Sequence, residues 1–148
     1  GSASFTEFVA ARRHFVPLPG DHVGALRAWG REVDGSLPPE HMMCWGGPEN
    51  LRGYDYARFE AEEGWLISLE YRWPLFLMPI SADGRVLAVG VHAFGDVGEA
   101  YLDEAEGETL HDFGAGLHLG VWNHQFRFEV ARTGDDRTAF VFMDMFNF

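Results

Sequence analysis

Lysine is absent from this sequence: all 11 basic residues among the 148 are arginine. Without an ε-amine the chain is closed to Schiff-base catalysis, to pyridoxal-phosphate attachment and to the lysine of a phosphate loop. Cysteine is nearly absent, and the single Cys44 cannot form an internal disulfide, so a reducing cytoplasm is the expected compartment. Long apolar runs are missing too. Trp73 to Ile80 is broken by Pro74 and Pro79 and falls far short of the ~18 residues of a membrane-spanning helix, so we expect no membrane partner. Positive charge is scarce against 23 acidic residues, and the formal net charge of -12 repels nucleic-acid backbones, which excludes a nucleic-acid partner.

What is present is apolar and aromatic. A hydrophobic fraction of 47% with 15% aromatics is enough to fill a core, which sets the chain apart from disordered sequences. Gly1-Ser2 reads as a cloning remnant, leaving one globular domain over residues 3–148. Arginine in place of every lysine, with plentiful alanine and glycine, points to a GC-rich coding genome, and we read the source as bacterial.

The expected fold class is α+β. Ser4-Phe5-Thr6-Glu7 has a capping-box pattern and predicts a short helix to about Arg13. Asp21 is placed to cap a second helix, whose Val23, Leu26, Trp29 and Val33 recur at helical spacing. Residues 34–53, rich in proline and glycine, read as an irregular connection. From Tyr54 onward the period becomes two. Turn signals at Glu62-Glu63-Gly64, Asp83-Gly84, Glu106-Gly107 and Gly134-Asp135-Asp136 divide the rest into about eight short antiparallel strands. In one of them Trp65, Ile67, Leu69, Tyr71 and Trp73 face one way and Ser68, Glu70 and Arg72 the other, the pattern of a half-buried strand. A meander this long predicts a strongly bent sheet or partial barrel with the two helices packed on it.

Seven histidines supply the candidate chemistry. One long strand from Leu117 to about Ala131 would place His118, Trp122 and His124 on a common face. The neighbouring strand sets the small Ala88 and Gly90 beside His92, leaving room for a ligand. Spacings of seven and six from His111 to His118 to His124 match no metal signature, and His118 and His124 would stand about 20 Å apart along such a strand, so no metal is expected. Met42, Met43 and Trp45 surround Cys44 with apolar groups and predict a packed, inert thiol. No nucleophile elbow or phosphate-binding glycine pattern occurs, so neither a catalytic residue nor a cofactor is assigned.

The stretch from Asp96 to Asp112 holds seven acidic residues and no arginine. As an exposed hairpin it would steer a cationic partner. The leading expectation is therefore a non-enzymatic acidic protein of the inhibitor, antitoxin or immunity type, engaging a basic protein through Asp103, Glu104, Glu106 and Glu108. The alternative is a small-molecule binding module that uses His92, His118, Trp122 and His124 on the concave side of the sheet. Behind it stands an enzyme with a histidine general base at the same place.

Overall fold

A computed structural model of the chain describes residues 4–101, 107–121 and 124–146. Nine strands run in chain order: β1 (Phe5–Leu18), β2 (His22–Gly35), β3 (Met43–Trp45), β4 (Phe59–Ala61), β5 (Glu63–Pro79), β6 (Val86–Tyr101), β7 (Glu108–Val121), β8 (His124–Thr133) and β9 (Thr138–Phe146). Seven form one antiparallel sheet in the order β1-β2-β5-β6-β7-β8-β9, and β3 pairs with β4 in a separate two-stranded sheet. The large sheet is open, with β1 and β9 at its edges.

The α+β expectation is overturned: no α-helix occurs among the described residues, and the only helical turn is the 3₁₀ piece Pro39–His41. The two segments read as N-terminal helices are β1 and β2, paired in register from Phe5 opposite Gly35 to Leu18 opposite His22. Asp21, read as a helix cap, sits with Gly20 in the hairpin turn, where both take positive φ (60° and 77°). Three of the four residues spaced as a helical stripe also fit a period of two, through Val23, Ala25, Arg27, Trp29, Arg31 and Val33, while Leu26 falls on the other face opposite Leu69. Gly24 and Gly30 weaken a helix by about 1 kcal/mol each, and pairing with β1 on one side and β5 on the other sets the strand.

The strands are also fewer and longer than the turn signals suggest. Residues 65–73 and 75–80 belong almost wholly to the single strand β5, which takes up its Pro74 at a register irregularity between Pro74 and Phe76. Residues 85–94 and 100–101 likewise lie in one strand, β6. Glu62-Glu63-Gly64 does not turn a hairpin, since Phe59–Ala61 pairs back onto β3 and β5 starts at Glu63.

Directly paired residues of antiparallel strands share a face, so register sorts the side chains. One face carries Ser68 of β5, Asp96 of β6 opposite it, then Asp112 of β7 and Thr133 of β8. Segment 36–61 lies over one end of this covered face. There Trp45, Leu51, Tyr54 and Ala61 pack on Leu66 and Leu110, with Trp29 and Phe59 at the margin. The Trp45 indole needs a floor without side chains: a Cβ on Gly64 would stand 2.3 Å from its ring. This is the only apolar core cluster among the described residues, and it is small for the length of the chain.

Candidate functional site

Beyond that core the covered face is built of charge. Arg52 enters it from the long segment, donating from Nε to Asp96 Oδ2 at 2.8 Å and from NH2 to Asp96 Oδ1 at 3.0 Å. Its NH1 donates to Glu70 Oε2 at 2.8 Å, and its guanidinium lies 3.6 Å from the centroid of the Phe94 ring. The next backbone amide, Gly53 N–H, donates to Asp112 Oδ2 at 2.8 Å. Burial alone would lower the Arg52 pKa. The hydrogen bonds and charge of Asp96, joined by Glu129 and Glu70, outweigh it and raise the pKa above the ordinary value, so the guanidinium stays charged.

Around Arg52 the strands add matching groups. Arg127 of β8 bonds Glu70 Oε2 and Glu129 Oε1, both at 2.7 Å, and Arg72 of β5 bonds Glu70 Oε1 at 2.6 Å. His92 of β6 sets its Nε2 2.7 Å from Glu129 Oε1 and its Nδ1 3.3 Å from Nδ1 of His118 on β7. Asp96 and Glu129 are each 2% exposed and His92 3%. Three guanidiniums thus face three carboxylates, those of Arg52 and Arg127 buried and that of Arg72 at the margin, and the bonds of Arg52 tie the long segment to the sheet.

The opposite, open face reverses the usual sorting. Ile67, Leu69, Tyr71 and Trp73 of β5, Phe113 and Leu117 of β7, Phe128 and Val130 of β8, and Phe140 and Phe142 of β9 are all exposed. The values run from 37% at Leu117 to 84% at Phe140. The alternation read for β5 holds, but Ser68, Glu70 and Arg72 are its sheltered side and the aromatic stripe is the bare one.

Of the residues expected to form a ligand pocket, His92 and His118 do come together. The single strand expected from Leu117 to Ala131 is instead the two strands β7 and β8. His124 therefore sits on the open face, with Phe126 stacked beside it and its Nδ1 3.2 Å from Asp144 Oδ1. Trp122 lies outside the described residues. So do Asp103, Glu104 and Glu106 of the acidic stretch, while Glu108 opens β7 and is exposed. Cys44, expected to be packed, is exposed on β3. A groove of about 410 Å³ lined by Val16, Gly24, Leu26, Leu69, Tyr71 and Gly95 is apolar, the wrong chemistry for a ligand chosen by histidines.

Sequence reasoning missed Arg52, Arg127, Glu129 and Asp96 as a unit. The available signal was charge of both signs at alternate positions, Glu70 and Arg72 on β5 and Arg127 and Glu129 on β8. No family model matches the chain, and no curated protein matches it.

Proposed function

We propose that the chain forms part of the wall of a transmembrane β-barrel, with segment 36–61 folded across the lumen side. The observation that carries this reading is the reversal of the two faces from β5 to β8: ionised groups are buried on one, and large apolar side chains are bare on the other. Bare apolar patches on a water-borne monomer rarely exceed a few hundred Å², whereas a membrane-spanning barrel requires an outward apolar band and a polar interior. No helix among the described residues is long and apolar enough to cross a membrane, and a barrel needs none.

Lengths and girdles support the same reading. A tilted spanning strand needs about 9–11 residues, and every strand of the large sheet has at least 9. On β5 the open-face run begins at Trp65 and reaches Trp73, eight residues or roughly 26 Å along the strand, close to the height of an apolar band bounded by aromatic belts. Polar groups on this face sit at the strand ends, as Glu32, Glu99, Arg132 and the His124–Asp144 pair do, and on edge strand β1, where Arg12 and His14 pair with Ala28 and Leu26. An arginine stem is long enough to carry its guanidinium to the headgroups. This reading replaces the cytoplasmic expectation. Of the residues in the basic-partner reading, Glu108 is exposed at the start of β7, and Asp103, Glu104 and Glu106 lie outside the described residues.

The test is site-directed fluorescence on the full chain, reconstituted in vesicles. In a Cys44→Ser background, a polarity-sensitive dye is placed by cysteine substitution at Leu69, Phe128 or Phe142 on the open face, or at Ser68 or Thr133 on the covered one. Quenching by spin-labelled acyl chains is expected at the first set alone. A folded, monodisperse protein that ignores vesicles and detergent, or equal quenching at both sets, overturns the proposal.

A further inference from the structure

On the covered face, past the ion pairs, His92 and His118 point the same ring atom at one another. Their Nδ1 atoms are 3.3 Å apart, long for a hydrogen bond between two nitrogens. That spacing is the edge of a tetrahedron: two imidazole nitrogens each 2.0–2.1 Å from a zinc ion stand about 3.3–3.4 Å apart. We infer that His92 and His118 form a binding site for a divalent transition-metal ion of zinc type, ligated through both Nδ1 atoms.

Three further features fit such a site. The Nε2 of His92 faces Glu129 Oε1 at 2.7 Å, and a proton held there leaves the Nδ1 lone pair free. Metal-ligating histidines are usually oriented by a carboxylate in this way. Glu129 Oε2 and Arg127 Nε are buried with no hydrogen-bond partner, an acceptor and a donor beside the imidazoles for water or a small anion on the ion. Both rings are seated by glycine: a Cβ on Gly90 would stand 2.2 Å from His118 Nε2, and one on Gly116 would stand 2.8 Å from His92 Cε1.

The ligand atoms of Glu70, His92 and Glu129 also lie within 4.8 Å of one another, but those two carboxylates are occupied by arginines. Glu129 is therefore assigned to orient His92, and Glu70 to hold Arg52, Arg72 and Arg127. The three guanidiniums do not bar a cation, because Glu70, Glu129 and Asp96 balance them and the incoming ion meets a cluster of nearly zero net charge. His118 is half-buried, which leaves the ion a path from solvent. This site does not depend on what covers the open face.

The experiment is zinc binding to the tag-free full chain, read by competition with a chromophoric chelator, with Co²⁺ as a spectroscopic substitute. One equivalent is expected, with the intense visible bands of tetrahedral cobalt. His118→Ala and His92→Ala should each abolish it, Glu129→Gln should weaken it about 10–100-fold, and His14→Ala on the edge strand should leave it unchanged. Should His92→Ala fail to fold, His118→Gln at the half-buried position carries the test. Absence of stoichiometric binding by the natural protein, or binding and a cobalt spectrum untouched in the His118 variants, overturns the inference.

Discussion

Replacing Arg52 by alanine tests whether the charged interior holds the long segment in place. The Asp96 side chain is fully buried, the Arg52 side chain is 7% exposed, and both oxygens of Asp96 are taken by the one guanidinium. Removing it leaves a buried carboxylate with no cation bonded to it and Arg27 only at a distance, and breaking such a pair costs about 3–5 kcal/mol. At about 1.4 kcal/mol per decade, that is two to three and a half decades in the folding equilibrium. Glu70 suffers less because Arg72 and Arg127 remain on it, so Asp96 carries most of the loss. Urea unfolding in detergent, followed by tryptophan fluorescence, gives the cost, since Trp45 sits in the segment that Arg52 anchors. The double variant Arg52→Met with Asp96→Leu should be less damaging than Arg52→Ala alone, because it strands no charge. A single-variant cost below about 1 kcal/mol, the range of exposed ion pairs, refutes the reasoning, as does a double variant worse than the single.

Further outcomes are expected elsewhere on the sheet. Leu69→Arg on the open face should cost about 2–4 kcal/mol in bilayer-folded protein, the penalty for arginine near the bilayer midplane, whereas Thr133→Ser on the covered face should leave membrane insertion intact; insertion assays in vesicles compare them. Gly64→Ala should destabilise by about 1–3 kcal/mol, since its Cβ would meet the Trp45 ring at 2.3 Å and the Glu99 carbonyl oxygen at 2.5 Å; chemical denaturation measures it. Arg132→Ala should shift stability by less than about 1 kcal/mol, because its partner Asp136 is 81% exposed, and the same unfolding curve checks it. Cys44, being exposed, should react with a thiol reagent in the folded protein without denaturant.

Much of the sheet was legible in the residues and its orientation was not. The period of two in β5, the glycine turn at Gly84 and the loop after Thr133 all reported strand and reversal correctly. The β1-β2 hairpin was lost because Val23, Leu26, Trp29 and Val33 satisfy a helical spacing while their neighbours satisfy a strand. Only the pairing partner decides between the two. The side-chain pattern of β5 says that two faces differ, but which one is sheltered is set by segment 36–61, which packs on Leu66 and bonds Glu70. Arg52 was invisible for another reason: its partner Asp96 is 44 residues away, and a lone arginine in a glycine-rich connection carries no local signal.

The meander that joins every strand of the large sheet to its neighbour in antiparallel fashion also fixes direction by parity. With seven strands alternating, β1 and β9 run the same way, so joining those two edges directly would make a parallel seam. A ring that stays antiparallel throughout needs an odd number of additional strands between them. Two copies alone, fourteen strands, can close such a ring only by placing β1 against β1 and β9 against β9 across a twofold axis. For the proposed barrel, a strand count therefore separates the two routes: an even total built on a single copy of this chain, or a symmetric seam between two.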